Sequence, residues 1–239
     1  MGKKSTAPDE RAGMGELETE LRTRFDVREE TFAHGDFRVE LILPRAADAL
    51  IDEAAFDADE RLPYWAELWP SARALARHLV ENPPPERRVL ELGCGVALPS
   101  LALRSLGREV LATDYYDDAL RFARANAERN GLGPLETAHL DWRSPPEEAR
   151  YPLVLASDVL YEKRNSEALA ELLPRVVAPG GRALVADPGR MYEFDFRNSL
   201  YFAGWRAETL TTRRELADVE RDIWGTITFF EIRRRTELV

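Results

Sequence analysis

Two rhythms of apolar residues alternate along most of the chain. Short, largely apolar runs at Val89–Leu92, Glu109–Thr113, Pro134–Leu140, Pro152–Ser157 and Gly180–Asp187 read as strands of a buried sheet. Between them, apolar residues three or four positions apart predict helices over Leu98–Leu106, Asp117–Asn130, Asn165–Val177 and Glu193–Phe202. In Asp117–Asn130 the inward face carries Ala119, Leu120, Ala123 and Ala127, and Asn130-Gly131 closes the helix as a C-cap. Pro174 predicts an end or kink near Leu173, because it lacks the amide hydrogen a helix interior uses. Arg206–Thr212 and Thr226–Arg233 read as the last two strands.

Upstream the pattern changes. Thr31–Pro44 alternates apolar and polar residues about a Gly35-Asp36 break, as a β-hairpin does. Ala46–Ala58 is acidic and alanine-rich, a short helix or a loop over the active site. Pro70 suits the first turn of a helix whose apolar positions are Ala74, Leu75, Leu79 and Val80. Met1 to Arg24 is polar until Leu17 and Leu21, a tail leading into a short helix. The expected organisation is a flexible tail over 1–24, an N-terminal extension over 25–62 and one catalytic domain over 63–239. A chain of 239 residues is long enough for one α/β domain with a full core.

The segment Arg88–Asp114 forms one βαβ unit, with Gly93 and Gly95 in the turn between strand and helix. Glycine there lets a ligand approach the main chain where the next helix begins with unpaired N–H groups, which suits a nucleotide-like ligand on a Rossmann-like fold. The dinucleotide fingerprint G-x-G-x-x-G fails, since its third glycine would be Leu98. Glu91 precedes the turn and favours a cationic ligand over a pyrophosphate. Asp114, at the tip of the second strand, is where a carboxylate commonly holds ribose hydroxyls.

Composition narrows the partners. The 33 Lys and Arg against 43 Asp and Glu give a net charge of −10, which opposes a broad nucleic-acid footprint. The single cysteine, Cys94, permits no intrachain disulfide and reads as a small buried residue in a reducing compartment. No apolar run approaches the ~20 residues of a membrane span, so a cytoplasmic protein without a membrane partner is expected. His34, His78 and His139 show no metal-ligand spacing, and His34 reads as a solvent-facing turn residue.

Other candidates carry two readings each. Tyr64, Trp65 and Trp69 cluster before a helix start, as core plugs at the sheet edge or as an apolar wall offering cation–π contact. Asp141 and Trp142 follow the third strand, where they could grip adenine or form an exposed loop over a buried indole. Ser157, Asp158 and Tyr161 end the fourth strand and should face the same crevice as Glu91 and Asp114; the plain alternative for Asp158 is a helix N-cap. Asp187-Pro-Gly-Arg190 could touch substrate or be an ordinary post-strand loop. Asn82-Pro-Pro-Pro85 superficially matches the Asn-Pro-Pro-aromatic motif of amino-methylating DNA enzymes, but its last residue and its place before the first strand make it a linker.

The Glu91-Leu-Gly-Cys-Gly95 turn resembles motif I of class I S-adenosylmethionine-dependent methyltransferases, with Ala97 replacing the usual third glycine and tightening the turn slightly. Tyr64-Trp-Ala-Glu-Leu-Trp-Pro-Ser71, followed by that turn, resembles methyltransferase family 16, the seven-β-strand protein-lysine methyltransferases. Leu140-Asp-Trp142 and Asp158-x-x-Tyr161 match the family's pattern at their places, and the resemblance covers about residues 30 to 233. It implies a doubly wound, seven-stranded, mostly parallel sheet with an antiparallel C-terminal strand, here preceded by a hairpin and helical extension. It also implies S-adenosyl-L-methionine as cofactor, with Trp69 beside its methionine part. Glu91, Gly93, Gly95, Asp114, Asp141, Trp142 and Ser157 complete the expected cofactor site. Asp158 would orient the acceptor amine and receive its proton, and Tyr161 would wall the channel. The implied acceptor is a protein lysine, on an electron-transfer-flavoprotein subunit or a ribosomal protein. A small amine substrate, or a cofactor-binding scaffold without turnover, would use the same residues.

Overall fold

The computed structural model describes residues 15–47, 50, 62–144, 150–218 and 221–235. Most of the acidic stretch Ala46–Ala58 lies outside the described residues. The central sheet contains β3 (Arg88–Leu92), β4 (Glu109–Asp114), β5 (Glu136–His139), β6 (Tyr151–Ser157), β7 (Val177–Asp187), β8 (Trp205–Asp218) and β9 (Ile223–Arg234). Their order is β5-β4-β3-β6-β7-β9-β8, parallel from β5 through β7, with β9 antiparallel to both of its neighbours. This is the doubly wound, mostly parallel sheet that the resemblance implies.

Both faces of the sheet are covered, which is why its strands read as apolar runs. Along β6, Leu153 and Leu155 join one buried cluster while Val154 and Ala156 join the other. The first cluster also takes Leu75 and Leu79 of α2 (Pro70–Glu81), Leu101 of α3 (Leu98–Ser105) and Phe122 of α4 (Asp117–Arg129). On the other face lie Leu169 and Leu172 of α5 (Lys163–Val176), with Phe196 and Leu200 of α6 (Glu193–Phe202).

The N-terminal hairpin pairs β1 (Val27–His34) with β2 (Phe37–Pro44) across Gly35 and Asp36, where Gly35 adopts φ 56°. Two asparagines one turn apart on α4 hold it to the domain. Asn126 Oδ1 accepts the Ile42 N–H at 2.8 Å, and its Nδ2 donates to the carbonyls of Ile42 (3.2 Å) and Val96 (3.4 Å). At the C-cap, Asn130 repeats the arrangement with the N–H and C=O of Glu40, at 2.8 and 2.9 Å. Where the sequence reads as a tail leading into a short helix, Glu16–Arg24 form α1, with Leu21 fully buried and Glu18 accepting from Arg129 Nη1 at 2.6 Å.

Three local expectations change. Helix α5 passes through Pro174 to Val176, because a proline in the last turn removes only one bond before the helix would end. The last two strands run to 14 and 12 residues, longer than their apolar cores suggest, because exposed polar positions continue the antiparallel ladder. His34 is half-buried rather than solvent-facing, with Nε2 2.7 Å from Glu81 and Nδ1 3.3 Å from Arg77 on α2.

Candidate active site

Strand order reverses between β3 and β6, and the crevice beyond that point is where open α/β sheets bind ligands. Here it forms a cleft with a cavity volume of about 120 Å³. Its walls include Trp69, Gly93, Gly95, Asp114, Asp141, Trp142, Ser157, Asp158 and Tyr161, so every expected site residue except Glu91 lines one space.

The floor is the turn after β3. Backbone angles are left-handed at Gly93 (φ 66°), Gly95 (φ 51°) and Ala97 (φ 66°). A methyl group on Gly93 would sit 3.3 Å from both Trp142 and Val159, and one on Gly95 would sit 3.1 Å from the Trp65 carbonyl. Ala97 does not merely tighten the turn: it holds a conformation that costs a side-chain-bearing residue about 1–2 kcal/mol. Asp114 braces the turn, its Oδ2 accepting the Gly95 N–H at 2.9 Å and its Oδ1 the Tyr116 N–H at 3.0 Å. Burial raises the Asp114 carboxyl above its ordinary pKa, with those amides opposing the shift.

Glu91 lies beneath the cleft instead of in its wall. Its Oε2 accepts the Ser100 N–H at 3.0 Å and the Ser100 hydroxyl, so it caps the first turn of α3. The other oxygen, Oε1, is buried without a partner. Burial pushes this carboxyl up to about 8.

At the acceptor end, Asp158 is buried with φ 57° and does not cap α5, whose N-cap is Glu162. Its Oδ1 accepts from Arg190 Nε and Nη2, each at 2.7 Å, and its Oδ2 from the Ser71 hydroxyl at 3.1 Å. Tyr161 packs edge-on against Tyr64, ring centroids 4.9 Å apart, and Tyr64 meets Trp69 the same way at 5.9 Å. Trp65 packs in the core beside Phe122 and also borders the cleft, whose wall Tyr64 and Trp69 complete. Burial raises the Tyr161 phenol, which stays protonated and able to donate. Asp141 is paired with Arg143, Nη2 to Oδ2 at 2.7 Å. Cys94 is buried with its thiol pushed up, as expected of an inert residue. Among the described residues there is no group of metal-ligating side chains, and no helix is long and apolar enough to cross a membrane.

A family model for lysine methyltransferases matches residues 60–198, the stretch that builds this cleft. The chain belongs to the lysine methyltransferase family. The electron transfer flavoprotein beta subunit lysine methyltransferase of Danio rerio is 34% identical over 145 residues, covering 58% of this chain and 56% of that protein. The ribosomal protein L11 methyltransferase of Stenotrophomonas maltophilia K279a is 37% identical over 147 residues, covering 59% and 45%. The chain thus spans about half the length of the curated relatives it matches. A candidate RNA methyltransferase from Pyrococcus horikoshii shares the fold, with TM-score 0.57, 13% identity and coverage of 72% of this chain and 89% of that one.

Two side chains that act on the expected site residues, Ser71 and Ser100, carry no role in the sequence analysis, while Arg190, read there as touching substrate or lying in an ordinary post-strand loop, bonds to Asp158. Ser71 sits in the Trp-Pro-Ser segment already singled out, and Ser100 lies in the first turn after the glycine loop. Arg190 follows a strand-tip aspartate, the same signal that marks Asp114 and Asp158.

Proposed function

We propose that this protein is an S-adenosylmethionine-dependent N-methyltransferase whose acceptor is a lysine side chain of another protein. The observation that carries the reading is the convergence, in one cleft at the sheet's reversal, of the glycine turn, Asp114, the Trp69–Tyr64 wall and the Asp158–Tyr161 pair. The site fits the cofactor, since side chains at Gly93 and Gly95 would crowd the cradle. Bound S-adenosylmethionine would supply a methyl carbon activated by a positive sulfur that departs as a neutral thioether. Asp114 would hold sugar hydroxyls, Trp142 and Asp141 would flank the base, and Trp69, Ser157 and the glycine turn would hold the remainder. Glu91 acts from below by fixing the start of α3 through the Ser100 N–H and hydroxyl.

A lysine amine, pKa near ~10.4 in water, must lose a proton before it can attack. Asp158 stands at the acceptor end to orient the nitrogen and receive that proton, help worth roughly 10²–10⁴-fold. Tyr161 and Tyr64 narrow the approach and exclude water. Holding the two reactants in attack geometry contributes more, about 7–11 kcal/mol. The relatives' names make an electron-transfer-flavoprotein beta subunit or ribosomal protein L11 the first acceptors to assay.

Incubating the purified protein with a protein lysate and methyl-labelled cofactor, then locating label by mass, tests the proposal. Label on protein lysine is expected. Label confined to small amines, or tight cofactor binding without transfer, would overturn it.

A further inference from the structure

Asp158 is not an open carboxylate. The Arg190 guanidinium grips one of its oxygens through two nitrogens, each at 2.7 Å, and lies 5.4 Å from the centroid of the Trp69 ring. Arg190 therefore touches both the acceptor-side acid and the aromatic wall, from behind the cleft lining. The loop that presents it is built for the purpose. Asp187, fully buried at the tip of β7, accepts the Gly189 and Arg190 N–H groups on Oδ1 at 2.8 and 2.7 Å, while Gly189 bends at φ 88°. The second Asp187 oxygen is buried without a partner, so the loop is fixed by one oxygen only.

We propose that Arg190 is a positioning residue for the methyl-transfer reaction, which aims the Asp158 carboxylate into the cleft and, as a fixed cation behind it, disfavours the protonated form of the incoming amine. The inference rests on the methyltransferase reading above. Its logic is electrostatic. An acceptor ammonium must yield one proton, to Asp158 or past it to water, before its nitrogen lone pair can form the new N–C bond. A fixed cation sharing the same carboxylate lowers the acidity barrier to that loss, as like charges disfavour the protonated form. Arginine suits the role because its planar fork can hold one carboxylate geometrically and it remains charged at every working pH.

The groups facing this pair bear on its titration. Ser71 donates from α2, Asp187 lies on the Arg190 loop, Tyr161 follows on the Asp158 segment, and Glu67, Asp114, Asp141, Arg143 and Arg164 line other walls of the cleft. Burial raises the Asp158 carboxyl above its ordinary value, and Arg190, then Ser71, oppose that rise. Without the guanidinium, the carboxyl and the amine would both titrate at higher pH. The two effects have the same sign.

The test compares the pH profile of kcat/KM for the wild type, Arg190→Gln and Arg190→Lys, with cofactor Kd measured on each. In Arg190→Gln the ascending limb should move up by about 1 pH unit, with activity recovering at alkaline pH and cofactor Kd unchanged. Arg190→Lys should lie between. A uniform loss at every pH, or an unshifted limb, would overturn the inference while leaving the methyltransferase assignment intact. Absence of protein methylation by the wild type would instead overturn that assignment.

Discussion

Two aspartates, at the tips of β4 and β6 on either side of β3, have different partners and should fail differently when altered. Asp114 accepts two backbone amides and holds the glycine turn, whereas Asp158 accepts from side chains and faces the acceptor end. Asp158→Asn preserves shape and tolerates the left-handed backbone, so it isolates the loss of charge. Methyl transfer should fall roughly 10²–10⁴-fold in single-turnover assays, with cofactor Kd unchanged in calorimetry. Turnover at the wild-type rate would remove Asp158 from proton handling. Asp114→Ala should do the reverse, weakening cofactor binding by at least about tenfold, or 1.4 kcal/mol, through the lost sugar contact and the loosened turn. An unaltered Kd would contradict its assigned role.

At the scale of elements, the least legible feature in the sequence is how the N-terminal hairpin meets the domain. Alternation predicts the hairpin and periodicity predicts α4, but their junction depends on an asparagine 84 positions from its partner. Asn126 mimics a strand edge, offering acceptor and donor to Ile42, and its third bond reaches Val96 in the floor of the cleft. No local pattern marks that use of an amide. The same limit hid the partner of Arg190, 32 positions away at Asp158, although its loop was a candidate; strand tips, glycines and the Trp-Pro segment are local signals and were readable. Asn126→Ala should leave the buried Ile42 N–H and C=O unpaired and cost about 2–5 kcal/mol in denaturant unfolding. It should also weaken cofactor binding through Val96, while Asn130→Ala, nearer the surface, should cost less and leave Kd unchanged. Equal effects of the two substitutions on Kd would show that the hairpin does not steady the turn.

Over the whole molecule, the parallel sheet gathers negative charge at one edge of an already acidic chain: Asp114, Asp141, Asp158 and Asp187 at strand tips, with Glu91 beneath. Arginines pair with two of these groups, Arg143 with Asp141 and Arg190 with Asp158. Burial places the Glu91 carboxyl at about 8 and that of Asp187 at about 6. Each folded-state value lies above its unfolded one, 4.5 and 3.8 respectively, so the folded protein retains protons that the unfolded chain has released. Their stabilising contribution is therefore complete below the unfolded values and is lost as pH rises, through about 6 for Asp187 and about 8 for Glu91. Glu91→Gln keeps an acceptor for Ser100 and removes the larger part of this dependence. Its Tm relative to the wild type should rise between pH 5 and pH 8, and a gap independent of pH would mean that Glu91 is already ionised. The same charge distribution distinguishes cofactor from product. A sulfonium placed over this edge favours the ionised carboxyls, so S-adenosylmethionine should bind the wild type more tightly as pH rises from 6 to 8. The neutral thioether S-adenosylhomocysteine shares the amino-acid and nucleoside parts but lacks the sulfur charge, so the ratio of the two Kd values isolates the effect. That ratio should move toward S-adenosylmethionine with rising pH and move less in Glu91→Gln; a ratio fixed across this range would show that the buried carboxyls do not sense the methyl donor's charge.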